Sequence, residues 1–297
     1  MRNRGYLKPF VKWAGGKGQL IYELESLCPA SCGRYFEPFI GGGALLFDLQ
    51  PGNAVIGDVN SQLINAYLQI RDRPDEVIEY AERLDAVPCT KEHFCEQRDR
   101  YNLKIASGTL DAECAGLMIW LNKHCFNGLY RVNRKGMFNV PWNRRAKVRS
   151  VDPEIIRSTS EYLREQHVEI RNADFEETCS DVKSGDFVYF DSPYVPVSVT
   201  ANFTKYAADG FTMADHERLA SFVRELDRRG VMIMLSNNDV PEVRRLYAGF
   251  RIYELSVARL ISCNGGGRTG EEVVVTNYDG RRARCGTPAG GCSLNFF

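Results

Sequence analysis

Four consecutive residues, Asp191-Ser192-Pro193-Tyr194, put a carboxylate, a turn and an aromatic ring at one point of the chain. An amino group conjugated to a purine is a poor nucleophile, because its lone pair is delocalised into the ring. Acceptors on its two protons, here the Asp191 carboxylate and a backbone carbonyl, favour the pyramidal form, whose lone pair can attack a methyl sulfonium. A proline fixes the turn that presents both acceptors, and an aromatic ring holds an extruded base by stacking. Asp-Ser-Pro is also an ordinary turn signal, so the tetrapeptide alone does not separate the two readings.

A second group of residues suits a nucleoside ligand. Phe36-Glu37-Pro38-Phe39-Ile40-Gly41-Gly42-Gly43 ends a predicted strand and is followed by a helical run. Glycines there let the backbone turn sharply and approach a ligand. Asp58, at the end of the next predicted strand, is placed to accept hydrogen bonds from ribose hydroxyls. The spacing Gly-x-Gly-x-x-Gly fails because Leu46 stands at the third position, and Gly16-Lys17-Gly18 lacks the frame of a P-loop. With neither phosphate cradle present, S-adenosylmethionine is the expected cofactor. The nearest metal-like cluster, Cys89, His93 and Cys95, has no matching second pair, so no metal is expected. The histidines, His93, His124, His167 and His216, form no constellation with a nucleophile.

Elements that would position these residues follow from the apolar pattern. Short buried runs at 35–39, 54–57, 168–171, 187–190 and 231–235 read as parallel strands, and 251–257 with 272–278 as an antiparallel pair. Helical patterns lie between several strands, as at 61–70 and 213–228, which predicts an α/β, Rossmann-like sheet with helices on both faces. The middle differs: 75–123 is mostly helical, and 129–133 with 137–140, joined by Arg134-Lys135-Gly136, reads as a β-hairpin. The expected organisation is a discontinuous catalytic domain, 1–61 and 151–280, with an inserted helical and hairpin reader at 62–150. The Gly-, Arg- and Cys-rich tail, 281–297, is expected to be poorly ordered.

Bulk properties exclude some classes. The 297 residues are 44% hydrophobic and 26% charged, with no apolar run near membrane-spanning length and no signal-peptide core at the N-terminus. A cytoplasmic protein with mostly reduced thiols is expected, despite ten cysteines. Net charge is zero, with 38 basic against 38 acidic residues. The distribution is uneven: residues 114–151 contain no acid but carry Lys123, Arg131, Arg134, Lys135, Arg144, Arg145, Lys147 and Arg149. A local phosphate-binding surface on a balanced body fits this pattern, as does a solvated face.

Taken together, the motifs resemble the DNA adenine methyltransferases of the Dam type, over about residues 8–278. The N-terminal Lys12-Trp13-Ala14-Gly15-Gly16-Lys17, the 37–43 loop, Asp58-Val59-Asn60 and the tetrapeptide match in family order, as do Thr200-Ala201-Asn202-Phe203-Thr204 and Ser262-Cys263-Asn264-Gly265-Gly266-Gly267. The resemblance implies a cofactor site at Trp13, Lys17, Glu37, Phe39, Gly41, Gly43, Asp58 and Asp191, with Asp174 and Phe175 at the cofactor's adenine. It implies Asp191, Ser192, Pro193 and Tyr194 as the catalytic segment. The run from His124 to Arg131, followed by Phe138-Asn139-Val140-Pro141, resembles the reader of members that recognise GATC in double-stranded DNA. By that resemblance Arg131 contacts a guanine, Leu129 and Pro141 touch bases, Lys12 assists, Phe126 wedges into the duplex, and Asn127 and Asn139 belong to the same surface. Leu129 and Phe126 also read as core. Arg134, Arg144 and Arg145 are assigned to phosphates, which position without specifying.

One departure stands inside the motif: Ser192 occupies the second position, where the family has proline. The rival readings are an N4-cytosine methyltransferase, which usually has Ser in place of the first Asp, and a catalytically weak DNA-binding regulator. A carbon-5 cytosine enzyme would need a nucleophilic Cys, and Pro88-Cys89 lies in the predicted insert. Neither a solitary role nor a pairing with a restriction nuclease is favoured by the sequence.

Overall fold

The computed structural model describes residues 7–18, 20–196, 211–257 and 270–280. The 200–204 and 262–267 motifs and the 281–297 tail lie outside the described residues. Seven strands form a mixed sheet: β1 (Tyr35–Glu37), β2 (Ala54–Gly57), β3 (Glu169–Arg171), β4 (Phe187–Phe190), β5 (Met232–Asn238), β6 (Arg251–Val257) and β7 (Gly270–Thr276). Their order is β3-β2-β1-β4-β5-β7-β6. β4 is parallel to β1 and β5, whereas β7 is antiparallel to β5 and β6. The α/β class and the antiparallel pair are as the sequence predicts.

Strand ends differ from the apolar runs for local reasons. β1 stops at Glu37 because Pro38 has no N–H for a ladder. β5 runs past its apolar stretch through Ser236, Asn237 and Asn238, whose polar side chains find partners. β7 ends at Thr276 because the Asn277 side chain takes the Ile233 N–H at 2.8 Å.

The chain packs as two compact units, Met1–Gly16 with Ile40–Gln50 and Ile56–Asp174, and Lys17–Phe39 with Pro51–Val55 and Phe175–Phe297. In the second unit, helix Met213–Arg228 buries Leu219, Phe222, Val223 and Leu226, a one-faced stripe at helical spacing. They pack with Phe190, Ile233, Leu235, Val273 and Val275 of the sheet. The helix begins in a capping box between Thr212 and Asp215, which satisfies two otherwise orphaned amides.

Helix α1 (Ile21–Leu27) belongs to the second unit, and the first is mainly helical: α2 (Ala44–Leu49), α3 (Ser61–Asp72), α4 (Pro74–Asp85), α5 (Lys91–Ser107), α6 (Ala112–His124) and α7 (Pro153–Glu165). α6 is apolar all round, as a central helix must be, and packs against α3, α4 and α5. The segment after it is less regular than the predicted hairpin. Val132 bridges Phe138, Asn133 N–H donates to the Met137 carbonyl and Asn139 N–H to the Arg131 carbonyl, but no strand forms. The Asn133 side chain takes the Met137 N–H at 3.2 Å and the Asn133 carbonyl takes the Gly136 N–H at 2.9 Å, so the pairing ends after one bridge, while the Asn102 side chain of α5 holds the outward N–H and carbonyl of Phe138 at 2.8 and 3.1 Å.

Candidate functional site

In the second unit Asp191 directly follows β4, at the carboxyl end of a parallel strand, where open α/β sheets bind ligands. Lys17 Nζ lies 2.8 Å from Asp191 Oδ1, the two side chains being 4% and 20% exposed. The same ammonium stands 4.5 Å from the centroid of the Tyr194 ring. Burial pushes the Asp191 carboxyl above its ordinary range, and the Lys17 charge opposes this only in part. The Tyr194 hydroxyl donates to Glu272 Oε2 at 2.9 Å, from a residue on β7 opposite Asn238. Val195 N–H donates to Asn237 Oδ1 at 2.9 Å and Asn238 Nδ2 donates to the Val195 carbonyl at 2.6 Å. Two asparagines at the end of β5 thus fix the exit of the tetrapeptide. Ser192 is buried, and its hydroxyl has no partner among the described residues.

Three further predicted residues, Glu37, Phe39 and Phe175, belong to this unit. Glu37 is buried and accepts from the Tyr35 hydroxyl at 2.7 Å. Phe39 is half-buried and stacks on Phe175 at 5.6 Å. Phe175 is buried in the core, its ring between Phe39 and the Arg218 guanidinium, 4.2 Å from the centroid. Phe39 is therefore the more open of the pair.

In the first unit, Asp58 takes the Gly41 N–H on Oδ2 at 3.3 Å and the Asn60 N–H on Oδ1 at 2.9 Å. Burial raises its carboxyl, and these amides pull the other way. Gly41 and Gly43 have φ of 47° and 71°, the left-handed region. A Cβ on Gly41 would lie 2.7 Å from Trp13 Cδ1, and one on Gly43 2.6 Å from the Tyr67 hydroxyl. Both positions need glycine for φ and for space. Trp13 and Asp174 are half-buried.

The residues predicted to read DNA also lie in this unit. Phe126 and Leu129 are 53% and 38% exposed, so neither is core. Asn127, at φ 56°, makes the turn between them. Arg131 and Pro141 are exposed, and Asn139 holds the arginine, with Nε 2.8 Å from Asn139 Oδ1 and Nη2 3.3 Å from its carbonyl. Lys12 is exposed, while its backbone is held on both sides by Asn122, which also bonds the Gly128 carbonyl. Arg134, Arg144 and Arg145 are exposed, and among the described residues no ion pair engages them. Asn143 pins the backbone at Arg145, receiving its N–H at 2.9 Å and donating to the Lys123 carbonyl at 3.0 Å. Cys125 sits beneath this surface, its thiol 3.2 Å from the Leu129 carbonyl and pushed by burial up to about 11.

Residues 13–261 match the family model of the D12 class N6 adenine-specific DNA methyltransferases. The chain belongs to that class. Among curated relatives, the Type II methyltransferase M1.LlaDCHI of Lactococcus lactis subsp. cremoris is 41% identical, over 93% of this chain and 98% of the relative. The Type II methyltransferase M.MjaIII of Methanocaldococcus jannaschii is 37% identical, over 92% and 99%. The DNA adenine methylase of Vibrio cholerae serotype O1 is 34% identical, over 88% and 92%. The D12 enzyme is thus an adenine-specific DNA methyltransferase of the Dam type, with a methyl donor and DNA as its substrates, and the cytosine reading falls away. No helix among the described residues is long and apolar enough to cross a membrane.

Sequence reasoning missed Glu272, Asn237 and Asn122 in this methyltransferase. Each acts through hydrogen bonds to residues distant in the chain, and no local spacing announces them. The tetrapeptide's own hydrophobic strand did announce Asp191.

Proposed function

We propose that this methyltransferase moves a methyl group from S-adenosylmethionine to N6 of an adenine flipped out of duplex DNA, within GATC. The observation that carries the reading is the setting of Asp191: a desolvated carboxylate held by Lys17 beside the Tyr194 ring. A base stacked inside a duplex cannot reach such a group, so the adenine must leave the stack.

The residues suit the cofactor. Asp58 offers a carboxylate to ribose hydroxyls, the glycine turn at Gly41 sets that carboxylate, Phe39 offers a half-buried ring, and no polyphosphate cradle competes. Trp13, Lys17, Glu37, Gly43, Asp174 and Phe175 complete the proposed cofactor set. When bound, the cofactor supplies an electrophilic methyl on a sulfonium. Asp191 accepts one amino proton and the Ser192 carbonyl the other, which turns the nitrogen lone pair out of the ring. Tyr194 stacks on the base and Pro193 keeps the turn. The methylated nitrogen then carries an acidic proton, which leaves to Asp191 or to water.

Residues 62–150 serve as the target-recognition part and residues 1–61 with 151–280 as the catalytic part. Arg131 presents paired donors to a guanine edge, where a bidentate arginine contributes about 1–3 kcal/mol of discrimination. Leu129 and Pro141 give apolar contact, Phe126 enters the stack, and Lys12, Asn127 and Asn139 support this surface. Arg134, Arg144 and Arg145 meet phosphates.

Mapping of modified bases after incubating the purified chain with S-adenosylmethionine and mixed-sequence duplex tests the reading. N6-methyladenine confined to GATC is expected. Methylated adenine in another sequence would remove the GATC assignment, and equal transfer to every adenine would remove the reader.

A further inference from the structure

Tyr130 sits between Leu129 and Arg131, yet its ring is turned inward while its neighbours face out. It stacks on Trp13, with centroids 5.4 Å apart and planes 22° from parallel. Trp13 in turn closes the space over Gly41, so the stack reaches the glycine turn that holds Asp58. A second route starts from the Tyr130 hydroxyl, which donates to Gln62 Oε1 at 3.3 Å. The Gln62 N–H bonds the Asn60 side chain, and the Asn60 N–H bonds Asp58. Phe138 and the Tyr101 hydroxyl, 3.4 Å from that of Tyr130, back the ring from the reader side. One side chain therefore touches both arms of the Gly41–Asp58 site, by its face and by its hydroxyl.

Binding at two sites is coupled when one rigid element is set by both, and the coupling is reciprocal. We infer that Tyr130 is a positioning residue that couples the Gly41–Asp58 site to the base-reading segment. A nucleoside cofactor in the first fixes Trp13 and Gln62, and through Tyr130 fixes Leu129 and Arg131. Cofactor and specific duplex then bind cooperatively. The inference rests on the proposed cofactor and reader sites, and adds a dependence between them.

The test is calorimetric, with S-adenosylhomocysteine as a probe that cannot transfer a methyl group. Its affinity is measured for the full chain alone, with saturating GATC duplex, and with a duplex lacking GATC. The wild type is expected to bind it at least 5-fold more tightly with the GATC duplex, within the usual range of coupling, and without gain on the other duplex. Tyr130→Ala should bring the ratio to about one while its affinity for the probe alone stays within 3-fold. Tyr130→Phe, which keeps the stack and loses the hydroxyl, should retain an intermediate ratio. Tyr130→Leu keeps apolar volume without a planar face, and should also lose the coupling, which covers a Tyr130→Ala protein that does not fold. A wild-type ratio of one, or an unchanged ratio in both Tyr130→Ala and Tyr130→Leu, overturns the inference. A wild type that binds no probe, or shows no preference for GATC, instead overturns the reading beneath it.

Discussion

Asp191 and Lys17 make a pH-dependent pair whose sign is set by burial. The carboxyl lies above its ordinary range in spite of the ammonium 2.8 Å away. Activity that needs the carboxylate is present above that raised value and is lost as pH falls through it. Lys17→Met removes the cation that lowers Asp191, so the acidic limb of the kcat/KM profile should move to higher pH. A limb that stays or moves down would show that Lys17 does not tune this carboxyl. Glu272 acts on the ring instead. Glu272→Ala removes one acceptor of the Tyr194 hydroxyl, and kcat/KM for duplex should drop about 5-fold, the equivalent of one hydrogen bond of about 1 kcal/mol. Glu272→Gln, which keeps an acceptor, should recover most of that loss. Asp191 and Tyr194 are legible in the sequence because strand and turn chemistry flank them. Glu272 is not, since its partner lies 78 residues away and only the sheet brings them together.

At the scale of elements, helices with strong ends are the easiest to read. The helix Met213–Arg228 has the bounds its apolar pattern predicts, and the Thr212–Asp215 capping box sets its start. Thr212→Ala should cost about 1 kcal/mol, a fall in Tm of about 2 °C for a chain of this size, measurable by thermal melting. An unchanged Tm would mean the helix is held by packing alone. β4 is likewise legible, being an apolar run buried along its whole length. The predicted hairpin is reduced to a single antiparallel bridge. Its alternation suggests paired strands, but the Asn133 side chain takes the Met137 N–H that the next rung needs.

At the scale of the molecule, a chain with equal numbers of basic and acidic residues concentrates its unopposed charge in one stretch. Of the basic residues between 114 and 151, all but Lys123 are exposed. Each lysine or arginine that meets a phosphate releases counterions, so affinity falls with salt along a slope set by the number of contacts. Removing Arg134, Arg144 or Arg145 one at a time, as Arg→Ala, should reduce that slope by about one each and weaken all duplexes equally. Arg131→Ala should instead erode the preference for GATC. A phosphate-class variant that changed sequence preference would overturn this division of labour. The uneven charge is plain from sequence alone. That Asn143 pins the backbone at Arg145 is visible only in the fold.

The thiol of Cys125, beneath the reader, has a redox consequence. With its proton held up to about 11, roughly one molecule in ten thousand carries the reactive thiolate at neutral pH. Oxidants and alkylating agents attack thiolates, not thiols. A cysteine under Phe126 and Leu129 therefore behaves as an inert apolar filler, and peroxide that silences exposed thiols should leave this surface chemically intact.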